Sequence, residues 1–118
     1  MPGVQTLFPL LYTYGVVEGR LTMQRLLQVL AQNTARIFEL SGRKGEIKVG
    51  ADADLTIWNP KGEYVIADND NWGNADWSPY SGMRIAGQLE HTILRGKFVV
   101  ESGRFVGDAS EGRLLRRP

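Results

Sequence analysis

Apolar residues in the first third of the chain follow helical spacing. The segment "LFPLLYTY" is apolar on nearly every side. Thr6 is placed to cap it, Pro9 falls in the first turn, where a missing N–H costs little, and Gly15 is expected to end the helix. A helix with an apolar surface all round predicts burial on several sides, as in the interior of a larger layered protein.

A second, amphipathic helix is predicted in "MQRLLQVLAQ", with Thr22 as its N-cap. Its apolar side chains recur at i, i+3, i+4 and i+7 and predict one buried face, made of Met23, Leu26, Leu27 and Leu30. Asn33 or Thr34 is expected to cap a further short helix, "ARIFEL", which Gly42 ends as the C′ residue.

From Lys44 onward the period changes to two, which is typical of strands. "EIKVG" and "DLTIWNP" predict a hairpin-like pair in which the "ADAD" turn reverses the chain. The residues expected to share one face are Ile47, Val49, Leu55 and Ile57. "EYVIA" predicts a third strand.

After a loop from Asp68 to Arg84, "EHTILRGKFVVESGRFVG" predicts two or three strands with tight turns at Gly96 and Gly103. The predicted fold class is therefore α+β, with N-terminal helices followed by a small antiparallel β-sheet.

Composition and charge exclude several classes of function. The chain has 118 residues, 42% of them hydrophobic, which fits one globular core. A net charge of +1 argues against binding to nucleic acid or to an anionic membrane surface. The sequence has no cysteine, no apolar run long enough to span a bilayer and no basic signal-peptide start, so a cytoplasmic protein is expected.

Asp52 and Asp54 are the first candidates for chemistry. Two carboxylates this close together are suited to acid–base catalysis or to binding a hard metal ion. Aspartates that flank small residues after a glycine more commonly accept backbone N–H bonds inside a turn. We therefore favour a structural role at the entry to a strand.

The loop "DNDNWGNADWSP" partly matches a calcium-binding loop, because Asp68, Asp70 and Gly73 occupy the first, third and sixth positions. The match fails at the fifth position, occupied by Trp72, and at the twelfth, occupied by Pro79. The favoured interpretation is a polar surface loop with aromatic side chains packed beneath it or against a partner: Trp72, Trp77 and Tyr80.

His91 is the only histidine and lies in a predicted strand, where a half-exposed structural role is the commonest. A catalytic zinc site needs about three protein ligands. The serines have no identifiable histidine partner, and there is no cysteine nucleophile. We therefore assign no catalytic residue, no metal ligand and no cofactor to this chain.

The motif K-G-x-I-x-x-G-x-D-A-D-L resembles the C-terminal region of cyclic amidohydrolases of the dihydroorotase, allantoinase and dihydropyrimidinase (hydantoinase) group. The residues that carry it are Lys44, Gly45, Ile47, Gly50, Asp52, Ala53, Asp54 and Leu55. The likeness extends over nearly the whole chain. "PGVQTLFPLL" is similar to the segment after the last metal-binding aspartate, and "NTARIFEL" resembles a helix in which Thr34 replaces the usual proline. "SPYSGMRIAGQLEHTILRGKFVVESGRFVG" resembles the closing strands of these enzymes.

In this family a TIM barrel holds two metal ions, typically zinc, and hydrolyses a cyclic amide C–N bond. The resemblance implies that every metal ligand lies in segments before Met1, so the chain alone is expected to be inactive. Residues 1–42 would be the last barrel helices, and residues 43–118 would be part of a composite β-sandwich. The implied partner is the rest of the barrel or a second copy. The alternative is a stand-alone oligomerising or interaction module derived from the family.

One feature near the family's active site has a counterpart here. Pro2 and Gly3 match a loop that borders the substrate in relatives, where a glycine permits close backbone approach. The alternative is a simple turn before a helix. Gln5 fits dihydroorotase or allantoinase better than hydantoinase.

Overall fold

A computed structural model describes residues 3–70, 72 and 75–116. The chain forms two compact units, Met1–Leu26 with Asn59–Gln88 and Leu27–Trp58 with Leu89–Pro118. Helices precede a four-stranded sheet, so the predicted α+β class is confirmed. Among the described residues, no helix is both long enough and apolar enough to cross a bilayer. The assignment of residues 1–42 to a barrel and 43–118 to a sandwich stays a prediction.

Helix α1 (Leu7–Leu11) continues directly into a π-helical segment, Tyr12–Val17. Thr6 occupies the N-cap position but makes no side-chain capping bond. Its hydroxyl donates instead to the carbonyl oxygen of Gly3, at 3.3 Å. The predicted start of the helix is therefore correct, whereas the predicted capping bond is wrong.

Gly15 does not end this helix, contrary to the sequence prediction. It is buried inside the π-helical segment, and its carbonyl oxygen accepts the N–H groups of Arg20 and Leu21, both at 2.8 Å. A Cβ at Gly15 would lie 2.9 Å from Cδ1 of Leu21. The side chain of Leu21 therefore packs closely over Gly15, and the helix ends only before Gly19, whose φ is +74°.

The second helical region comprises α2 (Met23–Leu27), a π-helical segment (Gln28–Gln32) and α3 (Asn33–Ile37). Thr22 is confirmed as its cap, because its hydroxyl accepts the N–H of Arg25 at 3.1 Å. The predicted apolar face is only partly buried: Leu26 is fully buried, Leu30 is half-buried, and Met23 and Leu27 are exposed.

The chain does not break before α3, so the prediction that Asn33 or Thr34 caps a separate helix is wrong. The Thr34 hydroxyl donates to the carbonyl oxygen of Val29, at 3.4 Å, and thus bonds back along the helical backbone.

The C′ position of α3 is occupied by Glu39, with φ +59°, and not by Gly42 as predicted. The Glu39 N–H donates to the carbonyl oxygen of Arg36 at 3.2 Å, and the Leu40 N–H donates to that of Ala35 at 2.7 Å. This pair of bonds is a Schellman motif. Gly42, with φ +96°, lies in the following turn.

The sheet contains β1 (Leu55–Val65), β2 (Arg84–Leu94), β3 (Lys97–Glu101) and β4 (Arg104–Phe105), in the order β1-β2-β3-β4. β3 pairs antiparallel with β2, and Thr92 lies opposite Val100. β4 pairs antiparallel with β3. A 3-10 turn, Ala109–Glu111, follows the sheet.

Two-residue turns join β2 to β3 and β3 to β4. Arg95 and Gly96 have φ of +49° and +82°, and Ser102 and Gly103 have φ of +50° and +74°. Positive φ at both central residues is the type I′ geometry that matches strand twist. The predicted tight turns at Gly96 and Gly103 are confirmed.

The predicted pairing of "EIKVG" with "DLTIWNP" is wrong, because residues 46–50 belong to no strand of the sheet. Ile47 and Val49 have relative exposures of 89% and 105%. The predicted strand at "EYVIA" is largely the second half of β1, which runs on through Pro60. A proline is tolerated there because β1 is an edge strand of the sheet.

Candidate functional site

A small cavity in the first unit includes Gly3, the described member of the predicted substrate loop; Pro2 lies outside the described residues. The volume of the cavity is about 30 Å³, enough for one or two water molecules. Its wall combines backbone and polar side chains, from Gly3, Gln5, Thr6, Tyr64, Ile66, Ala67, Asp70 and Ser78. The cavity is too small to hold a ring substrate by itself.

The Gln5 side chain holds the loop after β1 beside this cavity. Its Nε2 donates to the carbonyl oxygen of Asp70 at 2.8 Å, and its Oε1 accepts the N–H of Trp72 at 3.0 Å. The amide nitrogen and the amide oxygen of Gln5 therefore both form hydrogen bonds with the backbone of the same loop. This bridging role was not predicted from the sequence, because the spacing of 65 and 67 residues gives no local signal.

Tyr64 contributes a half-exposed phenol to the cavity wall. Burial, with a smaller contribution from the negative charge of Asp70, raises the pKa of Tyr64 above its ordinary value of 10.0. The phenol therefore stays protonated at neutral pH, and it offers a hydrogen-bond donor rather than a base.

The carboxylates of the calcium-like loop fold the loop on itself. Asp68 Oδ1 accepts the N–H of Ser78, and Asp70 Oδ2 accepts that of Ala67, both at 2.9 Å. Gly73, the third residue of that pattern, lies outside the described residues. The aromatic side chains are less buried than expected: Tyr80 is half-buried, whereas Trp72 and Trp77 are about half exposed.

A cluster of charges in the second unit, which we call the lysine clasp, consists of Lys44, Asp52 and Asp54. Lys44 Nζ lies 2.9 Å from Asp52 Oδ2 and also contacts Asp54 Oδ2. Arg43 adds an ion pair to Asp52 at 3.2 Å. All three members of the clasp are half-buried.

The clasp keeps its members ionised. The hydrogen bond from Lys44 lowers the pKa of Asp52. Burial disfavours the charged form of Asp54, but bonds from Lys44 and from the backbone of Arg95 outweigh it and lower its pKa. Burial likewise opposes the charge on Lys44, and the two aspartates outweigh it and raise the pKa of the amine. Carboxylates held charged by a lysine are poor proton donors or acceptors near neutral pH.

The clasp also connects two distant turns. Asp54 Oδ1 accepts the N–H of Arg95 at 2.8 Å, and the Ala53 carbonyl oxygen accepts that of Gly96 at 3.0 Å. The strand entry at "ADAD" is thereby fixed to the β2–β3 turn. Asp54 accepts a backbone N–H as the favoured interpretation requires, but from a turn 41 residues away. Lys44 was missed as the partner of both aspartates.

Gly45, the residue after Lys44, lets the chain pack closely against the second helical region. Its φ is +89°, and a Cβ there would lie 2.8 Å from Cβ of Ala35 and 3.0 Å from the carbonyl oxygen of Ala31. The chain therefore crosses the helix surface at a distance that only glycine permits.

His91 is a half-buried residue of β2, as the favoured interpretation predicted. Its Nδ1 accepts the N–H of Ser102 at 3.2 Å, and its ring meets that of Phe98 edge-on, with centroids 5.2 Å apart. Over residues 3–70, 72 and 75–116, no three His, Cys, Asp or Glu side chains are grouped to hold a metal ion. The described residues therefore do not fit a dinuclear metal centre.

The comparison with protein families identifies the family of this chain. The sequence model of the Amidohydrolase family matches residues 5–100. The chain belongs to the amidohydrolase family. This match covers the helices, the lysine clasp and most of the sheet.

The individual relatives that the chain matches include several hydantoinases. The chain is 35% identical to the D-hydantoinase of Ralstonia pickettii over 116 residues, which is 98% of the chain and 25% of that enzyme. It superimposes on a D-hydantoinase (dihydropyrimidinase) from Thermus sp. with a TM-score of 0.95 and 38% identity, over 99% of the chain and 26% of that structure. For an L-hydantoinase (dihydropyrimidinase) from Arthrobacter aurescens the TM-score is 0.85 and the identity 32%, over 90% and 24% of the two chains.

The chain thus spans about a quarter of the length of the hydantoinases it matches. These comparisons support a fragment of a cyclic amidohydrolase of the hydantoinase group, as the sequence motif indicated.

Proposed function

We propose that the chain is the C-terminal part of a cyclic amidohydrolase of the hydantoinase group, whose full-length form hydrolyses a ring C–N amide bond. The observation that carries this proposal is the match of almost the entire chain to one quarter of several hydantoinases. We favour a hydantoin or dihydropyrimidine ring as the substrate, because the relatives have hydantoinase names. Dihydroorotase and allantoinase belong to related branches, and the preference drawn from Gln5 has no further support.

The role we propose for this chain is structural. The charged side chains closest to a metal-ligand pattern, Asp52 and Asp54, are engaged by Lys44, and the single imidazole accepts a backbone N–H through Nδ1. The zinc ions expected in the full-length enzyme would therefore be held by the other three quarters of the polypeptide. The partner we propose for this chain is that same polypeptide. The absence of cysteine supports a reducing compartment, and we propose the cytoplasm.

Pro2 and Gly3 remain the proposed contribution to the substrate site. Gly3 has no heavy atom within 4 Å of the position that a Cβ would occupy, so its backbone is approachable. The Gln5 bridge would hold the neighbouring loop while a ring approaches this segment. The substrate itself would occupy space formed largely by polypeptide outside this chain.

The test is an activity assay of the purified chain with zinc against hydantoin, dihydrouracil, dihydroorotate and allantoin. We expect no turnover above that of a mock purification from cells lacking the gene. Zinc-dependent turnover that persists through this control would defeat the proposed structural role. A cooperative thermal melt with a monodisperse monomer or symmetric dimer, and no binding to a hydantoinase barrel, would favour a stand-alone module instead.

A further inference from the structure

The Gln5 side chain makes two hydrogen bonds of opposite polarity to one loop. Its Nε2 donates to the carbonyl oxygen of Asp70 at 2.8 Å, and its Oε1 accepts the N–H of Trp72 at 3.0 Å. Because one partner is an acceptor and the other is a donor, chemistry alone fixes the orientation of the amide. A carboxylate of the same length offers only acceptors and a methionine offers no donor, so neither satisfies both partners.

Gln5 lies two residues after Gly3, in a turn that fixes the positions of both. The Gly3 carbonyl oxygen accepts the N–H of Leu7 at 3.0 Å and the hydroxyl of Thr6 at 3.3 Å. These bonds close the first turn of the helical region across Gln5. The position of the Gly3 backbone is therefore coupled to that of the Gln5 side chain.

The loop at the other end of the Gln5 bridge is braced by its own carboxylate. Asp70 Oδ2 accepts the N–H of Ala67 at 2.9 Å, and the Asp70 N–H donates to the carbonyl oxygen of Ala67 at 3.2 Å. The base of the loop is closed by the Ile66 N–H, which donates to the carbonyl oxygen of Met83 at 3.0 Å. The carbonyl oxygen that accepts from the bridge therefore belongs to a residue whose backbone and side chain are both held.

The Gln5 bridge borders the small cavity described above, whose wall includes Gly3, Gln5 and Asp70. Gln5 itself is exposed. Holding a long exposed side chain in one conformation costs rotamer entropy, and two directed hydrogen bonds offset that cost. The bridge thus joins the segment proposed to border the substrate to a loop that is held independently.

We propose that Gln5 is a positioning residue of the proposed substrate site, which acts through its neutral amide to hold Gly3 where a cyclic amide ring approaches. This proposal rests on the proposed function, in which the Gly3 segment borders the substrate. In this role Gln5 acts through the Gly3 backbone and not on the ring. Backbone that is already ordered loses less entropy when a ligand binds, so the effect is expected in KM and not in kcat.

A purely steric role for Gln5 makes a different prediction for Gln5→Glu, because the two side chains have nearly the same size. In the polar role, the ionised carboxylate repels the carbonyl oxygen of Asp70, whereas the protonated carboxyl has one donor and one acceptor and restores both bonds. Hydrogen bonding to the protonated form raises the pKa of the introduced carboxyl above its ordinary value of about 4.3. The bridge of the variant is then present at low pH and is lost as the pH rises through the raised pKa.

The first measurement is amide hydrogen exchange in this chain, with protection corrected for the intrinsic effect of pH on exchange. We expect protection of the Trp72 amide to fall about fivefold in Gln5→Glu at about pH 7.5 and to recover near pH 4. In Gln5→Met the protection should be low at both pH values. The matched control is Gln24→Glu, which adds the same charge at an exposed position of α2 and should behave as wild type. The Ser78 amide, which donates to Asp68, should keep its protection in every variant at about pH 7.5.

The second measurement is hydantoin hydrolysis by the full-length protein, assayed with zinc and carrying the same substitutions. In Gln5→Glu we expect KM to be about fivefold above wild type near pH 8, and this ratio to shrink as the pH is lowered to about 5.5. The kcat values should agree within about twofold. Gln5→Met should raise KM by a ratio that is constant with pH.

The outcomes separate the inference from the proposed function. Unchanged Trp72 protection in Gln5→Glu, or a loss that is the same at every pH, overturns the inference and leaves the proposed function intact. A loss of protection that depends on pH, together with an unchanged KM, overturns the positioning role. Absence of turnover by the wild-type full-length protein counts against the proposed function and the positioning role together, whereas the exchange measurement decides by itself whether the neutral amide holds the loop.

Discussion

Residues 46–49 and strand β3 (Lys97–Glu101) begin in the same way and end in opposite environments. Each follows a glycine with positive φ, Gly45 at +89° and Gly96 at +82°. β3 pairs with β2 on one side and with β4 on the other. Residues 46–49 pair with no strand of the described sheet. The difference teaches that alternating polarity alone does not form a strand, because residues 46–49 run through a bend and a turn, whereas β3 has a partner strand on each side.

The two regions also differ in what holds them. β3 is stabilised by ladder hydrogen bonds and by the burial of Val100. The loop that carries residues 46–49 is held at its base by the lysine clasp and by Gly45. Substitutions in β3 should therefore act through lost burial and hydrogen bonding, whereas substitutions at the base of the loop should act through lost ion pairs or overpacking. The resulting changes in the free energy of unfolding can be compared.

Gly45→Ala should have the largest effect. A methyl group at this position would lie 2.8 Å from Cβ of Ala35, and the residue would keep a φ of +89°. Overpacking and left-handed strain together should lower the free energy of unfolding by about 3 kcal/mol. Urea denaturation measures the loss. The control is Gly50→Ala, which has a φ of +90° and open space at the Cβ position, and should cost only about 1–2 kcal/mol. Equal losses would show that the close approach to the helix is unimportant.

Val100→Ala tests the paired region against the unpaired one. Val100 is 3% exposed, so removing two methyl groups should cost about 2 kcal/mol. Val49→Ala removes the same atoms at a fully exposed position and should change stability by less than about 0.5 kcal/mol. Both values come from denaturation curves of the isolated chain. A large loss for Val49→Ala would mean that residues 46–49 are already packed within the chain.

Lys44→Met removes the clasp while preserving most of the side-chain volume. It should cost about 1–2 kcal/mol, because two half-buried carboxylates lose their main charged partner. Lys48→Met is the matched control, since Lys48 pairs with Glu46 on the exposed tip and should matter by less than about 0.5 kcal/mol. Similar small losses would contradict a supporting role for the clasp.

The stability lost in Lys44→Met should depend on pH. The pKa values of Asp52 and Asp54 are lowered by folding, so their contribution is present above the ordinary value of 3.8 and is lost as the pH falls through the folded values. The pKa of Lys44 is raised, so its contribution is lost only as the pH rises above 10.5. The stability difference between wild type and Lys44→Met should be level from about pH 5 to 9 and shrink below about pH 4. A difference that changes near pH 6–7 would assign the effect to another group.

Ser102→Asn should have the smallest effect, and a stabilising one. Ser102 has φ +50° at the first central position of a type I′ turn, where asparagine followed by glycine is preferred. A gain of about 0.5 kcal/mol in the free energy of unfolding is expected, measured by the shift of the urea midpoint. A loss would indicate that the serine side chain has a role that the turn geometry does not require.

Features with local signals were predictable from the sequence. The cap at Thr22 and the turns at Gly96 and Gly103 follow from residue types acting on their own neighbours. Gly15 and Gly42 were misjudged because glycine also serves close packing and loop turns, while Glu39 takes the left-handed position itself.

The candidate site was less accessible to sequence reasoning. The two aspartates stood out, but their lysine partner lies eight and ten residues earlier, and the Gln5 bridge joins positions more than 60 residues apart. Strand pairing of residues 46–49 was predicted from their alternating polarity, but Glu46 lies in a bend and Val49 in the turn closed by the N–H of Ala51 and the carbonyl oxygen of Lys48.

The central claim is that this chain is one quarter of a hydantoinase-group amidohydrolase. Sequencing the coding DNA immediately upstream of Met1, together with an immunoblot of the native protein, tests it most directly. The account predicts an open frame that continues upstream through an H-x-H motif and a lysine-bearing barrel segment, and a native protein about four times as large as this 13.2 kDa chain. An in-frame stop codon upstream of Met1, with a native protein of 13.2 kDa, would contradict it.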